Sequence, residues 1–439
     1  MSAIREKSLK YNMHSWSAQR SLKPEVITKA EGIYFWNEEG KKFFDMSSQL
    51  VNMNIGHGNK KVVKAIQDQA ERLPFVGPAF AVDVRSEAAE KIIEVAPDNM
   101  RKVFFTNGGA EANENAIKIA RMVTGKSKVF SAYRSYHGAT HGAANLTGEP
   151  RRFAAEPQMS GFVKFVGPYA YRAPVKFESE AEITEYYLTL LRDQILYEGP
   201  EYIAAIFQES VVGSNGVLIP PQGWMQGVRD LCDEFGIMMV CDEVMAGWGR
   251  TGEWFAVNNW NVQPDIITFA KGVTCGYAQL GGVIVDEAIA DHFDDNVFSC
   301  GLTYSAHPLG CAAAVATIDV YKEENIIDNC RKMSSVLGEE LERIKDNHPS
   351  VGEVRYIGLW SAVELVKDID TREALVPYGK DPEGTMKKIL GMLKAEGFWT
   401  YSHENIIFIA PPLVIKEDQL KEALEIFDRV MYSVDNMIG

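Results

Sequence analysis

Lys271 closes the apolar run PDIITFAKG, and twenty-nine residues earlier Asp242 ends another, GIMMVCDEV. An amine and a carboxylate thus each stand where a buried strand gives out. An amine can condense with an aldehyde, and a carboxylate can keep an aromatic ring nitrogen protonated so that the ring withdraws electrons; a pyridoxal-phosphate site requires both. Neither residue says this alone. A lysine after a strand is ordinarily a solvated surface group, and an aspartate there often caps the following helix.

Three further segments carry groups of the right kind. FFTNGGAEANENAIKIAR sets Gly108, Gly109 and Ala110 between a strand and a helix, where unpaired backbone N–H groups and the helix dipole favour an anion such as phosphate. SYHGAT brings Tyr136 beside His137, and GLTYSAHPLGCAAA carries Thr303. Read alone, these are as compatible with packing, loop and cap roles as with a site.

The surrounding text narrows the reading. DEVMAGWGRTG followed by PDIITFAKGVTCGYAQLGG closely resembles the paired signature of class III aminotransferases, the family of ornithine, 4-aminobutyrate and omega-amino-acid transaminases. The resemblance runs from GIYFWNEEGKKFFD near residue 32 to IAPPLVI near 410. It implies pyridoxal 5'-phosphate as cofactor and an α/β chain of pyridoxal-phosphate fold type I. Lys271 becomes the catalytic lysine and Asp242 the partner of the ring nitrogen. Gly109 and Ala110 inherit phosphate holding, although Gly108 and Ala110 stand where the family carries small hydroxyl residues, which shifts that task toward the main chain. Tyr136, with His137, would cover one face of the ring and Val244 the other; stacking from both sides selects which bond is aligned to break. Thr303 would reach the phosphate of a neighbouring subunit, which implies a homodimer, a tetramer also being allowed. Arg250 and Glu209 match family positions as well.

The pattern also departs from the family. Many members use a mobile arginine ten residues before the first proline of the P-P-L segment, and here that residue is Tyr401. The acid group of a substrate must then be met elsewhere, with Arg172 and Arg134 as candidates. SSQLVNMNIGHG aligns with a wall of the substrate pocket, and Leu50, Val51 and Asn52 suit a short amine; this wall resembles that of transaminases for taurine and similar amino acids. Val51, Arg172 and Tyr401 are therefore the expected substrate contacts. The expectation is a ping-pong transaminase, acting through a Lys271 Schiff base, that moves the amino group of a taurine- or β-alanine-like donor to 2-oxoglutarate or pyruvate. An aminomutase or lyase of the same fold would share Lys271 and Asp242, and an aminotransferase-like sensor is the non-catalytic alternative.

These residues need a scaffold. The chain has 439 residues, and aliphatic and aromatic types make up 46% of them, enough for a large core in two domains. KVFFTN, KVFSAY, IAAIFQES, GIMMVCDE, DIITFA and GGVIV read as strands, with EANENAIKIARMVT and QGWMQGVRDLCDEFG as helices between them. Such alternation predicts a mostly parallel sheet flanked by helices, with ligands at the carboxyl ends of its strands. Long charged helices and short strands after Tyr321 predict a separate α+β unit, and the resemblance implies that the two chain ends build one small domain together. The expected division is 1–55 and 321–439 for the small domain and 56–320 for the cofactor domain. A net charge of −15 argues against nucleic acid or an anionic membrane as partner. The expected location is the cytoplasm, and six scattered cysteines and eight histidines form no metal-ligand motif.

Overall fold

The computed structural model describes residues 2–438. Its strands, in chain order, are β1 (Ile27–Glu31), β2 (Tyr34–Asn37), β3 (Lys42–Asp45), β4 (Met100–Thr106), β5 (Lys128–Ala132), β6 (Phe162–Phe165), β7 (Ile203–Glu209), β8 (Met238–Asp242), β9 (Ile266–Phe269), β10 (Gly281–Asp286), β11 (Val351–Ile357), β12 (Trp360–Asp368), β13 (Glu373–Ala374), β14 (Phe398–Trp399), β15 (Ser402–His403) and β16 (Ile406–Ile409). The central sheet has the order β4-β10-β9-β8-β7-β5-β6. From β9 to β6 every pairing is parallel, and β10 runs antiparallel to both its neighbours. This is the mixed α/β architecture expected, a largely parallel sheet flanked by helices.

Apolar residues on both faces of these strands explain the burial. All seven residues of β7 are buried, as are all four of β9, because helices cover each side of the sheet. Helix Gly109–Thr124 is one of these covers and packs against β7, β9 and β10. It ends at Gly125, whose φ of +68° closes the helix in the left-handed conformation.

Two smaller sheets flank this body. One has the order β1-β2-β3-β14, with β14 lying parallel to β3 through Phe398 opposite Phe44, so segments from both ends of the chain share it. The other runs β11-β12-β16-β15, with β13 on β12. YIGLWSAVELV, which reads as one strand, instead spans the end of β11, the turn and most of β12 in a hairpin. Gly358 makes that turn with φ +58°, and a Cβ there would lie 2.4 Å from the Arg250 carbonyl oxygen.

Arg250 is fully buried and ties the body to both flanking units. Its guanidinium donates to the carbonyls of Leu359 (2.8 Å) and Pro411 (2.7 Å), to Asn54 Oδ1 (2.6 Å) and to Ser48 Oγ (3.1 Å). With this many bonds it serves as a structural stitch. Among the described residues no helix is long and apolar enough to cross a membrane.

Candidate active site

The parallel strands end in a row of acids. Register pairs Glu209 on β7 with Asp242 on β8, and Asp242 with Thr268 on β9; Lys271 follows two residues after β9 ends. A cavity of about 530 Å³ opens at these strand ends, lined by Glu209, Asp242, Val244, Lys271, Tyr136 and His137 among others. Gly108, Gly109 and Ala110 border it as well, at the start of helix Gly109–Thr124. Strand register thus collects most of the residues singled out from the sequence.

Asp242 is held firmly. Its Oδ2 accepts from Asn113 Nδ2 at 2.8 Å and meets His137 Nδ1 at 2.7 Å, while Oδ1 accepts the Val244 N–H at 3.1 Å. Asn113 is fixed in turn, because its Oδ1 accepts from Thr268 Oγ1 at 2.9 Å and its amide also donates to the His137 carbonyl at 2.7 Å. A carboxylate so restrained presents a fixed charge to the cavity floor. Asn113 was not singled out from the sequence, although it lies within the EAN of the glycine segment.

Lys271 sits on a strained backbone, with φ +50°. Enclosure by protein pushes its amine down from the ordinary 10.5 to about 8, against the opposing pull of Asp242 and Glu209; the Arg151 charge pushes in the same direction as burial. Glu209 moves the other way, up to about 7, since it is buried and lies near Asp242, while His137 and the Gly213 and Tyr136 N–H groups favour its ionised form. Its carboxylate accepts the Tyr136 N–H at 3.0 Å and the Gly213 N–H at 2.7 Å. Glu209 therefore grips the backbone that carries the Tyr136 ring.

The cavity suits pyridoxal phosphate on its own geometry. A fixed carboxylate faces an amine of lowered basicity, an aromatic ring and a valine line the walls, and the first turn of a helix supplies free N–H groups. Close packing maintains the cavity where it meets the start of helix Gly109–Thr124. A Cβ on Gly109 would stand 2.8 and 2.9 Å from the Val244 methyls, and one on Gly138 would stand 2.6 Å from Ala110 Cβ.

The expected substrate contacts are placed differently from one another. Val51 and Tyr401 do not line the cavity; they belong to an apolar cluster with Met245, which does. Tyr401 stacks on Phe408 with ring centroids 4.6 Å apart, and burial raises its hydroxyl. Arg172 lies outside the cavity, where Nε donates to Glu364 at 2.6 Å and Nη1 to the Arg372 carbonyl, so the expectation that it meets a substrate acid group does not fit its position. Arg134 is also engaged, its guanidinium 5.0 Å from the Tyr169 ring centroid and 5.2 Å from that of Tyr378. Thr303 is exposed, in the turn before helix Pro308–Glu323.

One cation near the site was missed. The Arg151 guanidinium lies 3.7 Å from the centroid of the Tyr136 ring and 5.3 Å from that of Trp16. Its terminal nitrogens make no hydrogen bond among the described residues, while Nε donates to Glu149. No local pattern in GEPRRF marks it, since its neighbourhood depends on Tyr136 and Trp16 from other segments.

The model of the class III aminotransferase family matches residues 16–431. Among solved structures, the taurine:2-oxoglutarate aminotransferase of Bifidobacterium kashiwanohense, in complex with PLP and glutamate, is 48% identical with a TM-score of 0.97, over 99% of this chain and 98% of that one. The taurine–pyruvate aminotransferase of Bilophila wadsworthia is 31% identical across 98% of this chain and 97% of its own. The putrescine–pyruvate aminotransferase of Pseudomonas aeruginosa is 33% identical over 91% of this chain and 88% of its own.

Proposed function

The chain belongs to the class III aminotransferases, pyridoxal-phosphate enzymes of α/β fold, and within that family we propose that it moves the amino group of taurine or a similarly short acid-bearing amine to a 2-oxo acid, 2-oxoglutarate first. The single observation that carries this reading is Arg151, a cation whose terminal nitrogens make no hydrogen bond among the described residues, laid on the ring of Tyr136, which lines the cavity. Tyr401 occupies the position of the family's mobile arginine, so an acid group needs another cation, and Arg151 supplies one without the stems of Arg172 or Arg134 having to leave their partners. The taurine- and 2-oxoglutarate-directed relative at 48% identity supports the same choice of donor and acceptor.

Each chain residue has a defined task in this account. Bound pyridoxal phosphate supplies an electron sink for negative charge at the substrate carbon. Asp242, braced by Asn113 and His137, holds a proton at the ring nitrogen. Gly109 and Ala110 hold the phosphate through backbone N–H groups, and Tyr136 and Val244 fix the ring plane. Lys271 would hold the cofactor through its aldehyde carbon, and its amine would move the proton at the donor carbon; a lowered basicity suits it to act as base near neutrality. Arg151 orients the acid group of donor and acceptor in turn.

A steady-state panel tests the reading. Taurine, β-alanine, 4-aminobutyrate and ornithine are paired with 2-oxoglutarate or pyruvate, and taurine with 2-oxoglutarate is expected to give the highest kcat/KM. Arg151→Met should raise KM for both acid-bearing substrates by about 10–100-fold, the scale of a lost charge-assisted hydrogen bond. Turnover confined to ornithine, or an unchanged KM in the variant, would refute it.

A further inference from the structure

Arg151 could meet an acid group only if something kept it on the Tyr136 ring. Glu149 is placed to do so. Its side chain is fully buried, and one carboxylate oxygen accepts from Arg151 Nε. Among the described residues its other oxygen, Oε2, has no hydrogen-bond partner. His403 Nε2 stands 3.7 Å away, beyond hydrogen-bond distance, and is likewise without a partner among the described residues. Burial, with the charges of Arg151 and Arg134, pushes His403 down to about 4, so at neutral pH it brings no charge to compete for the carboxylate. The Glu149 charge is therefore committed to Arg151, since a buried carboxylate is tolerated only when a cation compensates it.

The backbone around this pair is equally constrained. The Gly148 N–H donates to both the carbonyl and Oγ of Ser135 at 3.1 Å, and the Glu149 N–H donates to the same carbonyl at 3.3 Å. A Cβ on Gly148 would lie 2.3 Å from the Ala132 carbonyl oxygen, so only glycine allows this approach. Ser135 precedes Tyr136, and the segment carrying Glu149 and Arg151 is thus stitched to the segment carrying the ring that Arg151 covers.

We propose that Glu149 is the positioning residue of the acid-group subsite: it grips the Nε edge of Arg151 and leaves the two terminal nitrogens as the pair that meets the carboxylate or sulfonate of the substrate. Guanidinium binds oxyanions best through two parallel N–H donors, and a grip on Nε preserves the terminal pair for that geometry. The inference rests on the role given to Arg151 under the proposed function.

The test compares the intact, cofactor-loaded enzyme with Glu149→Gln, Glu149→Asp and Arg151→Met. One readout is the ratio of kcat/KM for taurine to that for propylamine, which has no acid group; the other is the dissociation constant of ethanesulfonate, which has no amine to react. Glu149→Gln should lower the ratio about tenfold and weaken ethanesulfonate by a similar factor, and Glu149→Asp, which keeps the charge on a shorter stem, should lower both about threefold. A ratio within twofold of the parent in the Gln variant, or in the Asp variant should the Gln protein not fold, overturns the positioning role if Arg151→Met still depresses it. If Arg151→Met also leaves the ratio and ethanesulfonate binding unchanged, it is the acid-group role of Arg151 that fails.

Discussion

In the proposed reaction Lys271 serves as a base near neutrality only because its surroundings withhold solvent from its charged form. Its amine lies at about 8 because burial outweighs the attraction of Asp242 and Glu209. The neutral, nucleophilic form dominates above that value, so protein stripped of pyridoxal phosphate should recapture it at a rate that climbs with pH and levels off above about 8. Stopped-flow absorbance checks this, and a rise that continues toward the ordinary lysine value of 10.5 would contradict it. Lys271→Ala should lose turnover by about 10²–10⁴-fold, the usual range for removing a positioned proton-transfer group. At this scale the sequence was legible where a residue's place in the cavity follows from its own strand. Lys271 and Asp242 end apolar runs, and a buried parallel strand ending in a polar group is a readable signal. Arg151 was not legible because its neighbours come from other segments. Arg172 misled because its true partner, Glu364, is 192 residues away in sequence.

Between elements, Glu364 on β12 joins the small sheet to the loop after β6. Only 1% exposed, it accepts from Tyr169 Oη, from Arg172 Nε at 2.6 Å and from Arg355 Nη1 at 2.8 Å. Arg355 in turn donates from Nε to the Gly216 carbonyl at 2.9 Å. Removing the charge strands the partly buried Arg172 guanidinium and leaves Arg355 only Glu353 as a carboxylate partner, so Glu364→Gln should destabilise the protein by about 3 kcal/mol, the lower end of the cost of breaking a buried pair from one side. Denaturant unfolding with the cofactor concentration held fixed measures it, and an unmoved midpoint would refute the bracing role. Elements with a strong period were legible: six of the seven strands of the central sheet and helices Gly109–Thr124 and Trp224–Phe235 follow the alternation of apolar runs and amphipathic segments. β6 escaped notice because FVKF is short and its pattern is two buried ends around two half-buried residues. The β11–β12 turn escaped because a single Gly358 makes it, inside a run of otherwise strand-forming residues.

For the whole molecule, the prediction concerns a second copy of the chain. Thr303 is exposed, Tyr304 beside it is exposed, and the Tyr304 ring contacts that of Phe75, also exposed, at 5.8 Å between centroids. Phe80 and Leu50 are exposed too, at 64% and 73%. Large apolar side chains left in water are unfavourable, and a second copy of the chain covering them would also bring Thr303 to a neighbouring phosphate, as the family pattern implies. Analytical ultracentrifugation should give a species of twice the 49.0 kDa chain mass, and Thr303→Ala should weaken cofactor retention without changing that mass. A monomer that keeps full activity would contradict this. The parallel contact of β14 with β3, which brings both chain ends into one small sheet, is long-range and leaves no local trace in the sequence.

The most direct measurement is the visible absorbance of the purified enzyme loaded with pyridoxal phosphate, followed as taurine and then 2-oxoglutarate are added. The account predicts that the band bleaches with taurine alone, returns with 2-oxoglutarate, and does neither in Lys271→Ala. A band in the parent enzyme that ignores taurine yet bleaches with ornithine or putrescine would contradict the acid-bearing donor, and a parent protein that acquires no band at all would contradict the assignment of Lys271.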